Sequence, residues 1–563
     1  MNIIDIIFVS AKPEHLWLVL AGIVVLFFIH RSMRVDPLQK IPGPWLAKYT
    51  SFLLAYHART GKRYLYIDQL HKKYGPFVRI TPSQVSCAQP AALPIIYAHG
   101  ASSLPKTTFY RAFYFNGAAS LFSTQDRVSH ASKRRVLAHP LSYASVKQYE
   151  GWIRTRVAKL VAKLDQKAQA GGLEVGAAKV GKSSGKVVSG VRAASDSEVD
   201  VRMWINCLTF DVISDLAFGE PLGVLDRGSD VLAGGEDEAP GIAAMIESRG
   251  RSAAFLGLFP YLLPGSIMAP LARWVPDANV QRAFRATDTV SQIAQRCVQR
   301  RLQSSAARRG DLLDWLVDDM RTRETRFPDG LGAQDKDTAE AEVVTDAMLL
   351  FTTGADTTAD SITAIIFWVY STPRVLNKLR DEVRKAFSTA FNVESEDEKE
   401  KKPTDLFSWI PSHDQIKDLE YLNATIDESL RIFATNAFGM PRIVPDGMSV
   451  SIEGTTFYAG TELSSPAYTI QHDPAIWGAD ADTFRPERWL EPGSSQLKKY
   501  LLTFGVGPRM CIGKNLAVLQ MQILVATFVM RYDLVLRDEK ELRSVEGFMH
   551  KPADLWAKVK LSG

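Results

Sequence analysis

The spacing of apolar positions changes along this chain, and each change predicts a different element. LWLVLAGIVVLFFI, Leu16 to Ile29, is continuous, with no charged residue between Glu14 and Arg31. It falls short of the roughly 20 residues of a full span, but His15, His30 and Ser32 can sit in the interfaces. No clearly basic region precedes it and no small-x-small site follows, which argues against a cleaved signal peptide. Arg31, Arg34 and Lys40 follow the run, whereas Asp5, Lys12 and Glu14 precede it. The excess of positive charge on the C-terminal side predicts an uncleaved anchor over 16–30, a lumenal segment over 1–15 and a cytoplasmic bulk. A basic, proline-rich linker over 31–45 ends in IPGPW, whose prolines fix φ and bar helix continuation.

Beyond the linker the period shortens and lengthens in turn. YLYIDQLHKKYG reads as helix and FVRITPSQVSCA as short strand. From Asp200 onward the pattern is mostly helical. Mixed β pattern returns after Arg442 in MSVSIEGTTFYAGTEL, and a strongly apolar helix follows Cys511 before short strands close the chain. Three polar stretches read as surface insertions: about 165–200, about 321–340, and about 392–405 around ESEDEKEKKP. No repeat and no linker divides 46–563, which predicts one large domain, mainly α with minor β.

Composition narrows the function class. The formal net charge of +5 comes without a basic stripe interleaved with aromatics, so nucleic acid is not an expected partner. The four cysteines, Cys87, Cys207, Cys297 and Cys511, form no CxxC pair and no zinc spacing, which predicts free thiols in a reducing compartment. Asn423-Ala-Thr425 is a glycosylation sequon, but its place on a buried cytoplasmic helix predicts no glycan.

Local rules fail at three places. AMLLFTTGADTTADSITAIIFWVY, 347–370, is apolar at both flanks, yet its centre carries Gly354, several threonines and Asp356. Glycine weakens a helix by about 1 kcal/mol relative to alanine, and a buried Asp needs a partner or a purpose. A kink satisfied by threonine back-bonding is the plainer account. In NATIDESLRIF, Glu428 and Arg431 share a helix face, and Arg488 in a proline-bounded loop is placed to join them; alone, such a pair is a commonplace surface bridge. Third, FGVGPRMCIG (504–513) sets Cys511 among turn glycines just ahead of the last apolar helix. Gly505 and Gly507 permit a tight loop that approaches a flat cofactor closely. The helix starting near Gly513 would stabilise a thiolate, Arg509 could face an anionic substituent, and Phe504 could pack on a ring.

FGVGPRMCIG resembles the haem-binding signature of the cytochrome P450 family at every fixed position, and the other motifs follow in the family's order. TGADTT resembles its oxygen-activating helix, with Thr353 standing where Ala or Gly is usual. Glu428, Arg431 and Arg488 match its buried core network. HASKRR, 130–135, is similar to the helix that contacts the haem propionates, with His130 where many members carry Trp. The resemblance covers about Ile41 to the C-terminus. It implies a single large P450 fold behind an N-terminal transmembrane helix, and haem b (iron protoporphyrin IX) with Cys511 as the axial ligand of its iron. It implies that Phe504, Gly507, Arg509, Gly513, His130, Arg134 and Arg442 form the haem site. Asp356 and Thr357 would deliver protons during oxygen activation. The implied reaction inserts one oxygen atom from O2 into a small apolar or aromatic substrate. No glycine-rich phosphate fingerprint follows a strand, so electrons would come from NADPH through a separate NADPH-cytochrome P450 reductase, with cytochrome b5 a second possible donor. The expected location is the endoplasmic reticulum membrane, single-pass, with the catalytic domain in the cytoplasm.

YHARTGKRYLYIDQLHKKYGPFVRITP, TTFYRAF and FDVISDLAFGEPLGVL further resemble the fungal branch that includes benzoate para-hydroxylases and relatives in secondary metabolism. Pocket walls are expected at Phe109–Phe122, Leu350–Thr357, Ala434–Met440 and Gly547–His550, with Asn116, Asn436 and His550 as polar handles. No basic pair there calls for a carboxylate substrate. Two other readings stay open: a family member that rearranges or dehydrates without oxygen, and a non-catalytic haem-binding protein at the membrane.

Overall fold

Asp126, Asp200 and Asp277 each precede a helix and accept from backbone N–H groups of its first turn, those of Ser129, Arg202, and Asn279 with Val280. Such caps satisfy donors that a helix cannot satisfy internally. The computed structural model describes residues 36–100, 103–115, 117–173, 198–232, 240–304, 308–326, 333–390 and 410–562. The predicted lumenal segment and anchor lie outside the described residues, as do 31–35 of the linker and the stretch 392–405. Among the described residues no helix is long and apolar enough to cross a membrane.

The helices that build and position the site are α1 (Arg127–Ala138), α2 (Glu150–Leu173), α3 (Val201–Ala217), α4 (Ile242–Leu256), α5 (Ala278–Gln303), α6 (Leu312–Arg326), α7 (Ala333–Tyr370), α8 (Pro373–Ala390), α9 (Glu420–Ile432) and α10 (Lys514–Arg531). The minor β part comprises β1 (Phe77–Arg79), β2 (Gln84–Cys87), β3 (Glu198–Asp200), β4 (Arg442–Ile443), β5 (Ser449–Ile452), β6 (Thr455–Tyr458), β7 (Glu462–Ser464), β8 (Tyr532–Leu536), β9 (Ser544–Glu546), β10 (His550–Pro552) and β11 (Trp556–Leu561). One sheet runs β1-β2-β7-β4, with β2 and β7 parallel, and a second runs β3-β11-β8; β5-β6 and β9-β10 are hairpins.

The apolar pattern of the central helices becomes the main core. Val157 of α2, Leu208 of α3, Phe351 and Phe367 of α7, Leu379 of α8, Ile426 of α9 and Leu524 of α10 are all buried in one cluster. Helix α7 passes through its middle, against α3, α5, α9 and α10.

Two predicted insertions are shorter than their composition suggests. Helix α2 continues through Asp165 to Leu173, because Asp165 accepts from Arg531 Nε (3.0 Å) and from the Tyr532 hydroxyl (2.9 Å). Glu198–Asp200 is already strand, paired with β11. The stretch 321–340 is helical at both ends, in α6 to Arg326 and α7 from Ala333. Arg, Glu and Ala form helix readily, so polarity there is as compatible with helix as with a loop. At the sequon, the Asn423 amide donates to Lys417 and Leu419 carbonyls (2.8 and 2.9 Å).

Candidate active site

The loop ahead of α10 is shaped by backbone that only glycine tolerates well. Gly505 and Gly507 have φ of +69° and +77°. A Cβ on Gly507 would stand 2.0 Å from the Tyr97 carbonyl oxygen, so side chains are excluded there on contact grounds as well. The turn returns Cys511 to donate its N–H to the Phe504 carbonyl (2.8 Å). Arg134 of α1 donates to the Met510 carbonyl (3.0 Å), clamping the loop from the other side.

Cys511 retains accessible surface, and that surface opens into a cavity of about 340 Å³. Burial pushes its thiol pKa up; the N–H groups of Gly513 and Lys514 and the charges of Arg134 and Lys514 act the other way. The free thiol is thus favoured on balance, and a cationic ligand that takes the proton's place would find these N–H groups and charges already set to support a thiolate.

The same end of the cavity gathers basic side chains. Lys106, His130, Arg134, Arg442 and Arg509 all line it. Arg442 donates to the Tyr110 hydroxyl (2.6 Å), Arg509 to the Thr124 carbonyl (3.2 Å) and Lys106 to the Phe122 carbonyl. Among the described residues none of these side chains forms an ion pair with a carboxylate. Burial and mutual repulsion act on them together. Arg509 is pushed down to about 10 by burial and by Arg442. His130 is pushed to about 3 by burial, then by Arg509, Lys106, Arg134 and Arg442, so it is neutral. Lys106 is held well below its ordinary value for the same reasons. This end is built to receive a multiply anionic group.

Helix α7 forms the opposite wall without breaking. Thr352, Thr353, Thr357 and Thr358 return their hydroxyls to carbonyls one turn back, Thr357 to Thr353 at 2.6 Å. Gly354 leaves room for Ile213 of α3: a Cβ there would lie 2.8 Å from two Ile213 side-chain atoms. Asp356 and Thr357 both line the cavity. Asp356 is buried, with Oδ2 3.7 Å from Lys551 Nζ and Oδ1 without a hydrogen-bond partner. One turn on, Asp360 pairs with Arg202 (3.1 Å); burial and the Asp356 charge raise its pKa to about 7.

Glu428, Arg431 and Arg488 meet away from the cavity, and the surface-bridge account of the pair does not hold. Glu428 is fully buried, and its oxygens accept from Arg431 Nε and Nη2, Arg488 Nε and Trp489 Nε1, all at 2.9 Å. Arg431 also donates to the Gln471 and Ala481 carbonyls (2.7 Å each), tying α9 to the segment ahead of the Cys511 loop.

All four expected pocket walls contribute lining residues, including Phe113, Phe122, Leu350, Met440 and Phe548. Asn436 lines the cavity with its Oδ1 unpartnered, and Asn116 lies outside the described residues. His550 is not a handle: its ring stacks on Phe433 and meets Ser544 Oγ (2.9 Å) and the Ala434 carbonyl. In strand β10 neighbours face opposite ways, so Lys551 takes the cavity position instead. Sequence reasoning missed Lys551 and also Glu247 and Arg249 of α4. In the sequence they are ordinary charges of an amphipathic helix and a terminal strand, with no local signal that they point inward.

Residues 42–556 match the family model for cytochrome P450. The chain is 32% identical over 547 residues to a benzoate 4-monooxygenase of Aspergillus niger, covering 96% of each chain. It is 26% identical over 561 residues to the cytochrome P450 monooxygenase gsfF of Penicillium aethiopicum (96% of this chain, 97% of the relative). It is 27% identical over 520 residues to the pisatin demethylase of Fusarium vanettenii (91% and 87%). The mainly helical fold, the match over nearly the whole chain and these relatives together establish that the protein is a monooxygenase belonging to the cytochrome P450 family.

Proposed function

We propose that this enzyme hydroxylates a small aromatic or apolar molecule at a haem held by Cys511. The observation that carries the reading is the cavity end where a cysteine sulfur faces a set of unneutralised cations. Haem b fits it: a flat group with two carboxylates and an iron that accepts a thiolate answers both features. Cys511 would be the iron ligand. Arg134, Arg442 and Arg509 would neutralise the carboxylates, with neutral His130 as a hydrogen-bond partner. Phe504, Gly507 and Gly513 would shape the contact surface. When bound, haem supplies the oxygen chemistry that inserts one atom of O2 into a C–H bond.

The chain's own residues do the rest. The N–H groups at the start of α10 stabilise negative charge on Cys511. Asp356 and Thr357 would relay protons at the α7 wall, and the unpartnered Oδ1 of Asp356 is the carboxylate atom open to accept one and hand it on. Phe113, Phe122, Leu350 and Phe548 exclude water and orient an apolar substrate. The benzoate 4-monooxygenase and pisatin demethylase names are in keeping with an aromatic substrate in aromatic-acid or secondary metabolism. The apolar run 16–30 supports anchoring in the endoplasmic reticulum membrane with the catalytic domain cytoplasmic. The reading assigns electron supply to NADPH through a separate cytochrome P450 reductase, with cytochrome b5 as an auxiliary donor.

The test is the spectrum of reduced, carbon monoxide-bound protein, with Cys511→Ala beside it. A Soret band of thiolate–iron–carbon monoxide type is expected in the wild type and absent from the variant. Haem-loaded, folded wild type lacking that band would remove Cys511 as the ligand.

A further inference from the structure

The charges on the α4 side of the cavity balance, with one exception. Glu247 pairs with Arg251 (2.6 Å) and with Lys551 (3.3 Å), and Lys551 also reaches Asp356 (3.7 Å). Asp360 is matched by Arg202. Arg249, between Glu247 and Arg251 on the same helix, lines the cavity, yet no carboxylate pairs with it among the described residues. Burial lowers its pKa to about 10, with no anion acting in the opposite direction, whereas Asp360 and Asp356 raise that of Arg202.

The guanidinium is held in place by neutral groups. Nη1 donates to Thr287 of α5 (2.8 Å), Nη2 donates to the Phe113 and Tyr114 carbonyls (3.2 and 3.3 Å), and the carbon of the fork sits 3.9 Å from the Phe115 ring centroid. These contacts leave Nε–H and one Nη1 hydrogen uncommitted. A buried cation is stable only if paired or well hydrogen-bonded, and partial solvation of this kind leaves a strong preference for an anion. Phe113 and Phe115, on the segment to which Arg249 is tied, also line the cavity. An aromatic body and an acidic end would thus meet matching surfaces side by side.

We propose that Arg249 binds the carboxylate of an aromatic monocarboxylic acid and thereby selects acids over their neutral esters. The inference rests on the reading of this cavity as the substrate site. A charged N–H donor makes a strong hydrogen bond to a carboxylate and only a weaker one to an ester.

The experiment uses full-length, haem-loaded protein and titrates benzoate, cinnamate and 1-naphthoate against their methyl esters by calorimetry. The Soret shift is recorded in parallel. In the wild type at least one acid binds about tenfold or more tightly than its ester, the advantage expected of a charged hydrogen bond. In Arg249→Met that advantage falls to about twofold or less, while ester affinity holds within about threefold. Arg249→Lys keeps the charge without the fork and retains part of the preference. Wild type that prefers no acid overturns the proposal, and this comparison needs no variant to fold. So does Arg249→Met that weakens acid and ester alike, which would make Arg249 only a clamp between α4 and the Phe113 segment. An acid preference by heat with no thiolate-type carbon monoxide band would sink the haem reading and leave this one standing.

Discussion

Glu428 neutralises two guanidinium groups that have no solvent to turn to, and it also accepts from the Arg485 N–H (3.0 Å). Replacing it with Gln preserves volume but removes the charge from Arg431 and Arg488. Breaking a buried pair from one side costs about 3–5 kcal/mol, because the remaining charges stay desolvated. Guanidinium unfolding of Glu428→Gln should show a loss of that size; a change below about 1 kcal/mol would mean that solvent reaches the network. The sequence carried half of this arrangement. The spacing of Glu428 and Arg431 was visible, but burial, which separates a core network from a weak surface bridge, depends on residues far along the chain. Arg249 and Lys551 were illegible for the same reason. Each looks like a surface charge until α4 and β10 fold over the cavity. Cys511 was legible because the glycines that shape its loop are its near neighbours.

Helix α7 shows the same contrast one level up. Its apolar flanks announced a buried helix, and TTGADTT announced a disturbance. The structure resolves that disturbance without a break, since the threonine hydroxyls back-bond within the helix. What the sequence could not give was the partner that explains Gly354. Alanine there would gain about 1 kcal/mol of helix propensity but would push a methyl group into Ile213. Overpacking of that kind costs about 1–3 kcal/mol. Gly354→Ala should therefore be neutral to destabilising by up to about 2 kcal/mol. Adding Ile213→Ala should cost less in that background than in the wild type, because one change makes room for the other. Strictly additive losses in a double-mutant cycle would show that Gly354 is not kept for this contact. Element ends were the least legible feature: α2 and α6 run past the point where polarity suggested loop, because exposed polar residues suit a helix as well as a turn.

At the scale of the molecule, one buried carboxyl, Asp360, and two half-buried ones, Glu462 and Asp427, favour the protonated form in the folded state. Burial raises Glu462, on the interior strand β7, to about 7. Asp360 is raised to about 7 by burial and by Asp356, and Asp427 to about 6 by burial with a smaller push from Glu428. In the unfolded chain these groups lose their protons near their ordinary values, about 4. Between there and pH 7 the folded state binds more protons, so stability is full at low pH and is lost as pH rises through that window. Glu462 gives the cleanest test, because burial is the single cause of its shift. Gln at 462 mimics the protonated side chain and cannot ionise. Glu462→Gln should leave stability near pH 4 little changed and should raise it, relative to wild type, by an amount that grows toward pH 8. The limit is on the order of 3 kcal/mol, set by the difference between the ordinary value and about 7. Guanidinium midpoints of haem-loaded wild type and variant, measured across that range, provide the check. A difference constant with pH would mean that Glu462 ionises in the folded protein as it does in water, and that the centre of the β1-β2-β7-β4 sheet is wetter than its packing implies.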